Sequence, residues 1–389
     1  MTTRRGRAVA VLGVVVYLAA WTFGSRALYP VSVGLVLVVV LASAWVRFSA
    51  RPPQVRRHGL ARDVVEGDNV RIDLEVTGTG RVAPPTMVAH ERPGSLGERR
   101  VELHRVGRRR FAATYDLWRV PRGRYAFDEI RLTIEDPFAL ARTELVQGEP
   151  QALVVYPRLV HLDRLFSDGG AHVHDGRRLL LRRPSGYELH GVREYVEGES
   201  LRKVHWRTTA RRGTLMVREL EDAPRDEIAV LLDGFGIAGE AFEVAVRAAG
   251  SLVQANLRRG RRCALQLNSA LRESQVVGTE GDWRRALELL AAAEPTARTP
   301  AVALLQADGG LVARSLELIV VTAHVDVALA DRLVQRALSR RRASVVHVDL
   351  DGSPKPQLLR LQAAGVPVAV VRAGEPLADA LAGREARVA

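Results

Sequence analysis

Residues 227–267 read EIAVLLDGFGIAGEAFEVAVRAAGSLVQANLRRGRRCALQL. Two apolar runs, Glu227–Leu232 and Arg262–Leu267, flank the segment Glu240–Arg258, in which Phe242, Ala245, Ala249, Leu252 and Val253 recur at three- and four-residue spacing. That spacing lays them on one face of a helix, and the short runs on either side read as buried strands. A helix joining two apolar strands is a crossover, and it makes the strands parallel and covered on both faces. The pattern continues through strands Leu316–Thr322, Ser344–Leu350 and Val366–Val371 and helices Asp282–Ala293, Val325–Ser339 and Leu377–Leu381. Residues 226–389 are therefore expected to form an α/β domain of the doubly wound class. Such folds take ligands at the carboxyl ends of their strands, where Asp233 follows the first strand and Asp349 and Asp351 close the fourth.

Ahead of this domain the chain changes character twice. It has 389 residues, 47% hydrophobic and 26% charged, which suits two or three globular domains and excludes a disordered or fibrous chain. Its single cysteine, Cys263, excludes an intrachain disulfide framework and a zinc cluster of cysteine ligands. The formal charge is 57 − 44 = +13, and Lys203 and Lys355 are the only lysines, so the excess is arginine. An arginine-, alanine- and valine-rich chain is what a GC-rich coding sequence yields, so the charge alone does not signal nucleic acid. Aromatics at 5% also argue against a base-stacking surface.

Two uncharged runs open the sequence: AVAVLGVVVYLAAWTFGS at 8–25 and ALYPVSVGLVLVVVLASAWV at 27–46. Each is close to the roughly 20 apolar residues that a helix needs to cross hydrocarbon. Trp21, Tyr29 and Trp45 sit near their ends, where aromatic belts form. Arg4, Arg5 and Arg7 precede the first run, and Arg47, Arg51, Arg56 and Arg57 follow the second, with Arg26 alone between them. The positive-inside rule then places a short N-terminus (1–7) and everything after the second run in the cytoplasm, with the hairpin in the plasma membrane. The first run alone would also suit a cleaved signal peptide, with small residues at Ala19–Ala20; a second run at once favours a hairpin.

Residues 55–160 alternate in short runs. Val70–Val76 (VRIDLEV) has period two, and Thr86–Glu91, Arg99–Leu103, Phe111–Leu117, Gly123–Phe127, Ile130–Ile134 and Ala152–Tyr156 follow, punctuated by glycine and proline. About seven short strands suggest an antiparallel β-sandwich of immunoglobulin-like type. Asp136–Leu140 reads as a turn ending that sheet, and residues 161–186 as a linker, with His172 and His174 on a solvated loop.

Residues 187–225 form a basic segment. Between Arg177 and Arg218 there are eleven Lys or Arg and four acids. Within it stands Tyr195-x-x-Gly198-Glu199-x-x-Arg202-x-Val204-x-Trp206-x-x-Thr209-Ala210-Arg211. The string resembles the signature of the bacterial domain of unknown function 58 family, a Tyr-x-x-Gly-Asp-x-x-Arg-x-Ile-x-Trp-x-x-Ser-Ala-Arg pattern. Glu199, Val204 and Thr209 stand for the usual aspartate, isoleucine and serine. The layout of two spans, a β-rich segment ending in Asp-Pro-Phe, this string and an α/β domain is similar too. The resemblance implies that residues 226–389 are a von Willebrand factor A-like domain. It further implies association with a MoxR-type AAA+ ATPase and with other von Willebrand factor A or transglutaminase-like proteins, and no catalytic activity. In such domains Asp-x-Ser-x-Ser after the first strand holds a divalent cation; here Phe235 and Ile237 stand at the serine positions beside Asp233, so the site reads as degenerate and metal-free.

The residues themselves leave two other uses of the basic segment open: a solvated face of weak ion pairs, or a surface for anionic lipid or nucleic acid. Dense arginine forks suit carboxylates, so a docking surface for a protein partner is expected on Tyr195, Gly198, Glu199, Arg202, His205, Trp206, Arg211 and Arg218. The chain contains no phosphate-binding Gly-x-x-x-x-Gly-Lys-Ser/Thr loop and no Gly-x-Ser-x-Gly elbow, and Cys263 lies in an apolar strand. The expected protein is a non-enzymatic, cofactor-free membrane scaffold. The alternative is a divalent-metal-dependent protein-binding module.

Overall fold

The structure, a computed structural model, describes residues 2–60, 63–78, 84, 86–170, 187–195, 204–222, 228–307, 310–339, 341–352 and 355–383. Two compact units divide the chain, residues 1–158 and 159–389.

The first unit begins with helices α1 (Arg4–Phe23) and α2 (Leu28–Ser49), both long and apolar enough to cross a membrane. Each overruns its uncharged stretch at one end, α1 taking in Arg4, Arg5 and Arg7 at its start and α2 taking in Arg47 at its end. Gly24 stops α1 with φ +64°, a left-handed conformation that glycine adopts without strain, and its N–H bonds the Ala20 carbonyl.

Ten strands follow: β1 (Gln54–His58), β2 (Val64–Val65), β3 (Val70–Thr77), β4 (Thr86–Glu91), β5 (Arg99–Arg105), β6 (Arg110–Leu117), β7 (Gly123–Phe127), β8 (Ile130–Glu135), β9 (Arg142–Gln147) and β10 (Gln151–Tyr156). They form an antiparallel seven-stranded sheet in the order β1-β3-β6-β5-β4-β8-β9 and a three-stranded sheet, β2-β10-β7. The period-two reading of β3 holds: Val70, Ile72, Leu74 and Val76 are buried. They share one core with Tyr125, Phe127, Leu153 and Val155 of the smaller sheet.

The Asp136–Leu140 turn does not end the sheet. It is the bend between β8 and β9, and β9 continues the ladder from Glu135↔Arg142 to Ile130↔Gln147. The Asp136 carboxylate makes the bend by accepting from the backbone N–H of Phe138 (3.0 Å) and Ala141 (2.5 Å). The same bend grips the start of α1. Thr3 donates its backbone N–H to the Leu140 carbonyl (2.9 Å) and its hydroxyl to the Ala139 carbonyl (2.5 Å), while accepting from the Gly6 N–H (3.0 Å) as the helix cap. Any Cβ at position 6 would lie 2.1 Å from the Leu140 oxygen, so only glycine allows this approach.

The second unit starts before the expected boundary. Of the presumed linker 161–186, residues 161–170 pack on the α/β core: Leu162 and Leu165 are buried, and Asp168 takes two hydrogen bonds from Arg259, each 3.0 Å. Residues 171–186, with His172 and His174, lie outside the described residues. Next come β11 (Tyr187–Glu194), α3 (Trp206–Arg212) and β12 (Met216–Asp222).

The remaining elements are β13 (Ile228–Asp233), α4 (Gly239–Arg258), β14 (Cys263–Asn268), β15 (Ser274–Val277), α5 (Glu280–Ala292), α6 (Val302–Gln306), α7 (Leu311–Arg314), β16 (Glu317–Thr322), α8 (Val327–Leu338), β17 (Arg342–Asp349), α9 (Pro356–Ala363), β18 (Val368–Arg372) and α10 (Leu377–Ala382). Their sheet runs β15-β14-β13-β16-β17-β18, parallel except for β15, which pairs antiparallel with β14. Strand side chains alternate faces. Ile228, Val230 and Leu232 pack with α4 and α5, whereas Ala229 and Leu231 pack with α6, α7, α8 and α9. The sheet is thus covered by helices on both sides, as the sequence predicts.

Candidate functional site

Counted in chain order, the six strands run 3-2-1-4-5-6, so the winding reverses between β13 and β16. A reversal leaves a crevice at the carboxyl ends of the two strands, the usual ligand position in open α/β sheets. Asp233 ends β13 and Thr322 ends β16, on the face toward α6–α9. Asn268 of β14 and His347 of β17 belong to the same face by strand alternation, and the register pairs Asp233 with Asn268 and Thr322 with His347.

Hydrogen bonds fill this crevice. One carboxylate oxygen of Asp233 accepts from Asn268 Nδ2 (2.7 Å) and the Phe235 N–H (3.1 Å), and the other accepts from Thr322 Oγ1 (2.8 Å). Asn268 Nδ2 also donates to the Thr299 carbonyl (2.8 Å), which ties the 293–300 loop to the strand end. Gly234 has no room for a side chain, since a Cβ there would sit 2.8 Å from the Asn268 oxygen. Burial raises the Asp233 pKa above the ordinary carboxylate value, while the three donors pull it back. The two residues at the serine positions turn elsewhere: Ile237 joins the core, and Phe235 meets the His324 ring edge-on at 6.1 Å. Among the described residues no three His, Cys, Asp or Glu side chains gather to hold a metal ion.

His347 is fully buried, and neither ring nitrogen makes a well-formed hydrogen bond among the described residues. Burial lowers its pKa; Asp349 and the Thr322 backbone pull the other way. The folded histidine therefore takes up a proton less readily than the unfolded one, whose value is near 6.5. Below that pH the unfolded chain binds more protons, so stability is lost as pH falls. We expect the second unit to lose up to about 1.4 kcal/mol per pH unit below pH 6.5 through this residue. Thermal melts of wild type and His347→Gln from pH 8 to pH 5 check it: the variant's curve should be flatter, and parallel curves would refute the assignment.

The basic segment supplies a second surface. Its β11 and β12 pair antiparallel from Tyr187↔Asp222 to Glu194↔Met216 with a bulge near Leu189. It carries a helix, α3, that the sequence does not announce. His205 caps it through Nδ1, which accepts from the Thr208 N–H (3.3 Å), and Gly213 closes it at φ +72°. Thr209 Oγ1 accepts from the Met216 N–H (3.0 Å) and so pins the helix to β12, with Val204 and Met216 buried beneath. Trp206 remains 64% exposed, and Arg207, Arg211 and Arg212 are exposed. Arg207 and Arg211, four apart, share one side of the helix.

Of the eight expected docking residues, Trp206 and Arg211 thus lie together on the exposed helix. His205 is a cap, and Tyr195 is half-buried where its N–H bonds the Leu215 carbonyl (2.8 Å). Gly198, Glu199 and Arg202 lie outside the described residues, as does the side chain of Arg218. Asn268, Thr322 and His347 were missed by sequence reasoning; strand-end position and face parity were the signals that could have found them.

Residues 191–376 match the family model described as "Protein of unknown function DUF58". The chain is 27% identical over 155 residues to the Uncharacterized protein YeaD of Bacillus subtilis (strain 168), across 39% of this chain. The match spans 38% of YeaD's length, less than half of it. Solved structures include a conjugative transposon lipoprotein from Bacteroides eggerthii DSM 20697, with 15% identity, covering 26% of this chain and all of that one, at a TM-score of 0.16. Cwp6 from Clostridium difficile is 10% identical over 83% of this chain and 37% of that one, at a TM-score of 0.21. Scores this low carry no argument about fold or function.

Proposed function

We propose that this chain is a membrane-anchored, non-enzymatic scaffold that presents its α/β unit to a protein partner, and that the partner is a MoxR-type AAA+ ATPase. The observation that carries the reading is the β11–α3–β12 module, which fixes Trp206, Arg207 and Arg211 on an exposed, capped and pinned helix. Docking hot spots favour tryptophan and arginine, and a guanidinium fork recognises carboxylates bidentately. The winding order with its antiparallel edge strand supports a von Willebrand factor A-like reading of the sheet. The two strand layers of the first unit support an immunoglobulin-like reading. Asp233 is committed to three donors, which favours metal-free docking over an adhesion site.

On this reading α1 and α2 span the plasma membrane as a hairpin, with the strands of the first unit and the whole second unit in the cytoplasm. Tagged full-length protein captured from its native host in mild detergent, with and without ATP, tests the partner. Enrichment of an AAA+ ATPase that falls at least tenfold with Arg211→Glu or Trp206→Ala supports the proposal. Enrichment unaffected by either variant, or recovery of lipid and abundant acidic proteins only, refutes it.

A further inference from the structure

At the amino edge of the sheet, away from Asp233, a cavity of about 420 Å³ opens between the C-terminal half of α8 and the α6–α7 segment. Arg332, Arg336 and Arg341 line it, with Gln335 and Ser339. Their hydrogen-bond partners among the described residues are all neutral. Arg336 donates to the Ser315 carbonyl, to Ser315 Oγ (2.8 Å) and to the Ala313 carbonyl (3.4 Å). Arg341 donates to the Ala313 carbonyl (2.6 Å) and Arg332 to the Leu305 carbonyl (3.4 Å). Among the described residues no carboxylate lines the cavity; Asp331, on the next position of α8, is paired with Arg360 (2.6 Å).

Three guanidinium groups around one cavity, with no counter-ion among the described residues, repel one another, and the half-burial of Arg336 weakens the water screening that would relieve it. The effect registers on Arg336, whose pKa is lowered to about 10 by burial and then by Arg341 and Arg332. Its Nε–H is buried and has no hydrogen-bond partner among the described residues. Arg332 and Arg341 are exposed, and each uses one terminal nitrogen on a carbonyl, which leaves the rest of the fork for a ligand. The lining offers no aromatic face for a base or sugar ring.

From this arrangement we propose that the arginine cavity binds a small phosphate-bearing anion, held by the Arg336 Nε–H and the free edges of Arg332 and Arg341. A phosphate group matches guanidinium forks in geometry and charge, and its binding neutralises the cluster. Only the folded chain brings the three guanidinium groups together, so the bound anion stabilises the second unit.

The probe is inorganic pyrophosphate, titrated by calorimetry into full-length protein in detergent at constant ionic strength, with thermal melts in parallel. Saturable binding and a rise in melting temperature are expected. Because Arg336 also caps the end of α7, the decisive variant is Arg332→Gln/Arg341→Gln, which should bind at least tenfold more weakly while folding normally. Arg284→Gln/Arg285→Gln on α5 serves as the charge control and should bind like wild type. Equal weakening in both double variants would reduce the effect to bulk charge and overturn the proposal, as would no saturable binding. Vesicles of phosphatidylglycerol and phosphatidylcholine separate the source: competition by phosphatidylglycerol vesicles, but not by phosphatidylcholine alone, would assign the phosphate to lipid headgroups and overturn the small-anion assignment.

Discussion

Glu91→Ala is expected to destabilise the first unit by about 3–5 kcal/mol, because it strands a buried cation. Arg57 of β1 and Glu91 of β4 meet at 2.5 Å with side chains only 2% and 1% exposed. One donor on each terminal nitrogen goes to a backbone carbonyl, that of Asp128 and that of Glu149 (2.6 Å), and the group lies 5.9 Å from the centre of the Phe127 ring. Tyr115 of β6 donates its hydroxyl to the second Glu91 oxygen. Each guanidinium nitrogen and each carboxylate oxygen thus has a partner, and removing the carboxylate leaves both the Arg57 Nε–H and the phenol without their acceptor. Replacing all three together, as Arg57→Met/Glu91→Leu/Tyr115→Phe, is expected to cost far less, since burying an ion pair is itself expensive. Urea titration of the full-length protein in detergent, followed by β-sheet circular dichroism, separates the two variants. Equal losses would mean that packing rather than charge pairing holds the site. The network also has a pH signature. Burial, then the Glu91 contact, raises the Tyr115 pKa well above its usual 10. The folded phenol therefore holds its proton where the unfolded one has lost it, and stability falls as pH rises past 10.

Asp233→Ala is expected to cost the second unit about 1–3 kcal/mol for each buried donor left without an acceptor, and Asn268 and Thr322 are the two exposed to that loss. Thr322 retains its contact to the His324 carbonyl (3.1 Å) and Asn268 its contact to Thr299, so the total stays toward the lower end. Asp233→Asn should be nearly neutral. Its amide can donate to Thr322 Oγ1 while that hydroxyl turns to His324, and its oxygen can still accept from Asn268. The pair of variants discriminates between a structural lock and a cation ligand. On the structural reading, melting temperatures of wild type and Asp233→Asn coincide with and without Mg²⁺ or Mn²⁺. A metal-dependent rise in wild type that Asp233→Asn abolishes would restore the adhesion-site alternative.

Legibility in the sequence tracked how much of each element's stability is apolar. The two long uncharged runs and the five parallel strands announce themselves, because burial is what holds them and burial dictates residue type. Helix α3 does not: WRTTARR buries no side chain and is held by His205, Gly213 and the Thr209–Met216 bond. Strand β9, RTELVQ, has no fully buried side chain and sits at a sheet edge, so its alternation is faint. Helices α6, α7 and α9 are four to eight residues long, too short to show a helical period. Arg57 reads as one more positive charge after the second apolar run, yet its burial depends on Glu91, which stands 34 positions away. The crevice at Asp233 is similar, since Asn268 and Thr322 lie 35 and 89 positions on and only the strand register brings them together.

The grip of the β8–β9 bend on Thr3 and Gly6 changes what kind of attachment the hairpin provides. Four residues, 50–53, join α2 to β1 covalently, and by themselves they would act as a swivel. The second fastening, from Thr3 to Ala139 and Leu140, holds the start of the other helix at the same end of the hairpin and takes that swivel away. A body held at two points cannot spin about either. On the proposed topology, the tilt of α1 and α2 in the bilayer becomes the tilt of the ten strands below it. Torque applied to those strands would then reach the lipid as rotation of the helices rather than being lost in a loose joint.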